Sequence, residues 1–155
     1  MYLNILLNHN SLNYSHLQYS LIIHINIIQY NFAISDLIND AKNMTTITLN
    51  SSIDVYRSYM HSDDASNWLI NILKNSNSKC PIYNVGSNKV INLKNLTKKI
   101  AKITDKKISI KSNKTKKFDY YAPSITKARK ELNLEISINL NDALNSIIKT
   151  LNDKN

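Results

Sequence analysis

From residue 32 onward the apolar and polar positions switch repeatedly between a period near 3.6 and a period of 2, so short helices and strands should follow one another. "FAISDLINDAKN" sets Phe32, Ile34, Leu37, Ile38 and Ala41 near one helical face, with Ser35 and Asp36 placed to cap or charge its start. "TTITL" reads as a strand and "NSSID" as a polar loop. "VYRSYM" alternates as a strand, with Tyr56, Ser58 and Met60 on one side and Arg57, Tyr59 and His61 on the other. Ser62 then fits an N-cap, with Asp63 and Asp64 in a first turn where carboxylates favour the helix dipole. Ala65, Trp68, Leu69, Ile72 and Leu73 continue that helix as an apolar stripe.

"PIYNVGS" reads as a buried strand that turns at Gly86. "INLKNLTKKIAKIT" predicts a helix capped by Asn92, with Leu93, Leu96, Ile100 and Ile103 inward. "KKISI" is a strand, and "APSITKARKELNL" a helix capped by Ser124. "NLNDALNSIIKTL" predicts a last helix with Leu140, Leu144, Ile147, Ile148 and Leu151 inward. The layout is α/β, built from short elements without an internal repeat.

Residues 1–35 contain no Asp, Glu, Lys or Arg, the sharpest shift along the chain. His24, Asn26 and Gln29 interrupt "YSLIIHINIIQY" before the ~18 apolar residues that a spanning helix requires. A signal peptide fits poorly too, since there is no basic start and no small-residue cleavage site. The leader, residues 1–30, is therefore read as a buried strand, an interfacial segment or a stretch foreign to the domain at 31–155.

The length, 155 residues, suits one domain with its own core. One cysteine, Cys80, excludes an intrachain disulfide and a cysteine-based metal cluster, and fits a reducing, cytoplasmic location. A net charge of +9 favours anionic partners. Yet Asn, Ile, Lys and Tyr all have A/T-rich codons, so genome composition explains much of the lysine excess. The run from Lys89 to Lys117, opposed only by Asp105, reads first as a solvated face and secondarily as a polyanion- or nucleic-acid-binding surface. Tyr120 and Tyr121, which follow it, could stack on a base, although tyrosines in a β-prone run more commonly pack. Nucleic acid and membrane are not the expected partners.

Arg57 is the foremost candidate for chemistry. At a strand edge beside a helix start it can offer a planar fork of donors to a diphosphate, which lysine cannot do bidentately. The alternative is an ion pair with Asp63 or Asp64 that only fixes strand to helix. Adjacent aspartates at a helix start point in different directions, so capping explains Asp63 and Asp64 better than acid/base work. His61 lacks a ligand partner at metal spacing and is expected to pack or hydrogen-bond.

"YRSYMHSDDASNWLINIL", "IYNVGS" and "YYAPSITKARKELNL" followed by "LNDALNSIIKTL" together resemble the C-terminal substrate-binding part of the extended short-chain dehydrogenase/reductase family. The subgroup is that of NAD-dependent nucleotide-sugar epimerases and dehydratases, dTDP-glucose 4,6-dehydratase-like. The resemblance covers about residues 31–155. It makes the stretch around Arg57 the hinge between two lobes and implies that Arg57 contacts the diphosphate of a nucleotide sugar. It further implies that Asp64 holds the strand-to-helix junction, that Asn84 and Gly86 shape the turn, and that the helix from Phe32 helps cover the nucleotide.

The family uses NAD(P), bound by a G-x-x-G-x-x-G loop, and a Tyr-x-x-x-Lys pair in which the lysine lowers the tyrosine pKa for proton exchange. Gly86 is the sole glycine, and no tyrosine here is followed by lysine at that spacing. "NSSID" stands where the family has a glycine-containing loop, and Tyr120 where it often has a second basic residue. The expectation is a substrate-binding lobe with the Rossmann cofactor lobe largely absent. Such a fragment would bind no cofactor and be inactive alone, with a separate cofactor-binding lobe or a homodimer partner as its complement.

Overall fold

The computed structural model describes residues 17–19, 22–23, 33–111 and 117–153. Phe32, His9, His16, His24, Lys114, Lys116 and most of the leader lie outside them. In chain order the elements begin with β1 (Leu17–Tyr19), β2 (Ile22–Ile23), α1 (Ala33–Asn43), β3 (Thr46–Leu49), β4 (Asp54–Ser58), β5 (Met60–His61) and α2 (Ser62–Lys74). There follow β6 (Tyr83–Val85), β7 (Val90–Asn92), α3 (Leu93–Thr104), β8 (Lys107–Ile110), β9 (Phe118–Tyr121), α4 (Thr126–Leu132) and α5 (Leu140–Asn152). The chain forms two compact units, and one boundary between them falls at Arg57/Ser58.

The Trp68 unit comprises residues 1–23, 58–89 and 122–139. Its strand pairs are both parallel, β1 with β6 (Leu17 opposite Tyr83) and β2 with β5 (Ile22 opposite Met60). Within the leader, therefore, the backbone of these two short segments is strand. Trp68, Ala65 and Ile72 of α2 pack with Met60, Tyr83, Val85, Ile125, Ala128 and Leu134 in one apolar cluster. The indole Nε1 of Trp68 donates to the Glu135 carbonyl at 2.9 Å, so the ring is buried without an orphaned donor. Tyr83 donates its hydroxyl to Glu131 at 2.8 Å, and Lys127 lies 4.9 Å above its ring. Burial first, and then the Glu131 carboxylate, push the Tyr83 hydroxyl above its ordinary pKa.

The Arg57 unit comprises residues 24–57, 90–121 and 140–155. β3 pairs in parallel with β8, and α1 and α3 pack on β3 and on each other, with α5 against α3. Ile47, Leu96, Ile100 and Leu144 are fully enclosed there. Asn92 accepts from the Lys94 N–H at 2.8 Å as the N-cap of α3, and Asp105 ends that helix in the left-handed region at φ 50°. A three-stranded sheet runs in the order β7-β4-β9, with β4 and β9 parallel.

Several expectations are corrected by this arrangement. "VYRSYM" is not one strand: it breaks at Tyr59, because β4 pairs with β9 whereas β5 pairs with β2. Ser58, Tyr59, Met60 and His61 are consequently all buried, and the alternation ends. The N-cap of α2 is His61 rather than Ser62, since the imidazole Nδ1 accepts from the Asp63 N–H at 3.2 Å. Ile125 occupies the cap position of α4, and the Ser124 carbonyl instead accepts from the Asn84 side chain. α1 starts at Ala33, which sets Ser35 and Asp36 inside its first turn. Leu73 and Ile103, each at the end of an apolar stripe, are 51% and 37% exposed.

Trp68→Ala should cost about 3–5 kcal/mol, the usual range for emptying a large aromatic site. Urea unfolding followed by circular dichroism measures this, and a loss below about 1 kcal/mol would show that the indole is not the centre of the cluster.

Candidate functional site

Val55 and Tyr56 make β4 a good strand former, and the pleat turns Val55 and Arg57 to the opposite face from Tyr56. Parallel register sets Tyr56 opposite Tyr120 and Arg57 opposite Tyr121, so Asp119 is the diagonal neighbour of Arg57. Arg57 Nη2 forms an ion pair with Asp119 Oδ2. Nη1 donates to the Tyr56 carbonyl at 2.9 Å and to the Asp119 carbonyl at 3.5 Å. The Arg57 side chain is 25% exposed and that of Asp119 50%. The arginine takes Asp119, 62 residues away in sequence, rather than Asp63 or Asp64 as its partner.

The Arg57 hydrogen bond holds the Asp119 carboxyl below its ordinary pKa, against the opposing effect of desolvation. On the other face of the sheet Tyr56 meets Phe118 edge-on at 6.4 Å and Tyr120 at 6.3 Å with a 36° tilt. Phe118, Tyr120 and Tyr121 keep much of their surface exposed. Lys94 pairs with Asp54 at 2.9 Å and, chiefly through that hydrogen bond, lowers the Asp54 pKa. Lys99 donates to Asn141 at 3.0 Å, while Lys98 and Lys102 face solvent.

Also in the Arg57 unit, residues of α1 and β3 line a cavity of about 660 Å³. Asp36, Asp40, Thr46 and Thr48 give it polar walls, and Leu37 and Leu49 apolar ones. Asp40 is fixed by accepting from the Thr48 N–H at 2.9 Å. Carboxylates and hydroxyls in this arrangement suit a neutral group rich in hydroxyl donors and disfavour a phosphate.

The other sequence-predicted residues lie in the Trp68 unit. Asp64 is 3% exposed, and its carboxylate accepts from the N–H groups of Ser137, at 3.2 Å, and Ile138, at 2.9 Å, and from the Ser137 hydroxyl. Asn84 donates to the Ser124 carbonyl at 3.0 Å, and buried Gly86 forms the bend that ends β6. Sequence reasoning misses Asp119 and Ser137. The only signal for Asp119 was an acidic residue at alternate spacing from two tyrosines, and Ser137 had none.

No protein-family model matches the sequence, and no curated protein matches it. Solved structures match its fold. The protein RMD from Pseudomonas aeruginosa, complexed with NADPH, aligns with a TM-score of 0.73 at 14% identity, over 89% of this chain and 47% of its own. dTDP-glucose 4,6-dehydratase from Bacillus anthracis, in complex with NAD, gives 0.70 at 17%, over 90% and 44%. UDP-glucose 4-epimerase from Thermotoga maritima, with UDP-glucose, gives 0.70 at 16%, over 92% and 47%. The fold is that of part of an extended short-chain dehydrogenase/reductase. The chain spans less than half the length of these three structures. At the level of fold, the α/β layout and the resemblance read from the Arg57, Asp64 and Gly86 motifs are therefore borne out.

The residues present do not fit the family's dinucleotide loop. That loop needs glycines between a strand and a helix N-terminus, whereas Gly86, the sole glycine, leads from β6 toward strand β7.

Asp64→Ala should destabilise the protein by about 1–3 kcal/mol, because the N–H groups of Ser137 and Ile138 lose their acceptor. Denaturant titration measures this, and an unchanged midpoint would mean that water replaces the carboxylate. Asp54 and Asp119 have folded pKa values below the ordinary 3.8, so the stability they contribute is complete above that pH and is lost as pH falls through the lowered values. Unfolding midpoints recorded against pH should show a shallower acid limb for Asp54→Asn than for the wild type, with no change in slope near neutrality.

Proposed function

We propose that this chain is a nucleotide-sugar-binding fragment of an NAD(P)-dependent epimerase or dehydratase, its C-terminal substrate-binding part, with Arg57 as the contact to the diphosphate. The observation that carries the reading is Arg57 itself. Its guanidinium stands on the central strand of the β7-β4-β9 sheet, within a fold shared with nucleotide-sugar enzymes. A planar fork delivers two parallel donors to phosphate oxygens, and its weak hydration lowers the cost of leaving water. The cavity of α1 and β3, in the same unit, suits the neutral hydroxyl-bearing part of such a ligand. Asp64, Asn84 and Gly86 act as structural ties at the junction and do not touch the ligand.

The chain on its own is inactive in this reading. Hydride transfer would need a cofactor loop, and proton exchange a Tyr-x-x-x-Lys pair, and these 155 residues contain neither. A separate cofactor-binding lobe, or a second copy in a homodimer, is the complement through which activity could arise.

Isothermal titration with UDP-glucose and dTDP-glucose tests the binding. The wild type should bind, and Arg57→Ala should weaken binding about 10- to 100-fold, the range for losing hydrogen bonds to a charged group. Arg57→Lys should fall between, since it keeps charge without the fork. A folded wild type that binds neither sugar would sink the reading, and turnover of either one with added NAD would sink the claim of inactivity.

A further inference from the structure

The fork assigned to the diphosphate is already engaged. Nη2 of Arg57 is held by the Asp119 carboxylate, and Nη1 by the carbonyls of Tyr56 and Asp119. A diphosphate approaching Arg57 needs the same donors, and two anions cannot both take one edge of a planar guanidinium. We propose that Asp119 is an affinity-setting residue of the Arg57 site, a built-in carboxylate competitor that an anionic ligand must displace. This rests on reading Arg57 as the diphosphate contact.

Three features make the carboxylate displaceable as well as competitive. It lies on β9, directly adjacent to β4, so register alone keeps it within reach of Arg57 at a constant effective concentration. Its side chain is half exposed, so on release it regains water rather than being stranded in a dry interior. Among the described strands β9 stands at the edge of its sheet, and a change of side-chain rotamer frees the guanidinium without breaking the β4–β9 ladder. The burden on the ligand is twofold: it forgoes the ion pair, and it then sits beside the carboxylate it has displaced. The lowered pKa of Asp119 agrees with a carboxylate ionised throughout the neutral range, so the competitor is always present there.

A residue that merely clamps β4 to β9 would behave differently, because its removal would loosen the site and weaken binding. The test is titration of UDP, dTDP and inorganic pyrophosphate into the wild type, Asp119→Asn, Arg57→Ala and the double variant Arg57→Ala/Asp119→Asn. Circular dichroism checks folding, and Asp119→Ser replaces the Asn variant should that one not fold. Asp119→Asn should bind about two- to fivefold tighter, matching what an exposed ion pair is worth, and the gain should vanish in the double variant. In the wild type, the Asp119 carboxyl ¹³C resonance should move on ligand addition as the carboxylate is released. If the wild type binds and Arg57→Ala does not, yet Asp119→Asn is unchanged or weaker, the competitor is refuted while the diphosphate contact stands. Should no variant bind any of the three probes, both fall together.

Discussion

The buried carboxylate of Asp64 organises the Trp68 unit. Residues 133–139 form neither helix nor strand, so their backbone groups have no ladder to satisfy them. Asp64 supplies the acceptor for two of those N–H groups, at Ser137 and Ile138, from the first turn of α2. The segment thus held in place delivers Leu134 and Ile136 to the apolar cluster and the Glu135 carbonyl to the Trp68 indole. One ionised side chain therefore sets where α2, the cluster and an irregular return segment meet. An apolar residue in its place could fill the space but could not accept the N–H groups.

In the Arg57 unit the comparable constraint is register. β4 and β9 are short, and a slip by one residue would exchange the faces of both. The observed pairing puts Arg57 and Asp119 on one face and Tyr56, Phe118 and Tyr120 on the other. Tight cross-strand packing of the aromatic face thereby fixes the geometry of the charged one. The chain's two arginines, Arg57 and Arg129, each hold a carboxylate, and Arg129 grips both oxygens of Glu135 at 2.5 and 2.7 Å. In a chain so rich in lysine, the planar fork is reserved for positions where direction matters as well as charge.

What the sequence made legible follows from how local each determinant is. The cap of α3 at Asn92 and its stripe through Leu93, Leu96 and Ile100 depend on neighbours three and four residues apart, and the structure has them as read. The break at Tyr59 was not legible, because it comes from partner strands remote in sequence that take β4 and β5 into different sheets. His61 displaced Ser62 as cap because an imidazole nitrogen can accept as a serine hydroxyl does, and composition favours the hydroxyl. Asp119 stayed hidden for the same reason as the strand break: its partnership with Arg57 exists only once a register across 62 residues is set.

Fold and chemistry separate in this chain. Identities of 14–17% over less than half of each solved structure carry architecture, while function resides in particular side chains. The elements that orient Arg57 are all within the described residues, since β4, β7 and β9 complete their own three-stranded sheet. Binding of an anion at Arg57 thus requires nothing that the chain lacks. Oxidation and reduction of a sugar do, because they call for a cofactor held at a glycine-rich turn and for a tyrosine with a lowered pKa. A polypeptide with the first set and without the second can recognise a nucleotide sugar, but it can transform one only in association with groups supplied by another chain.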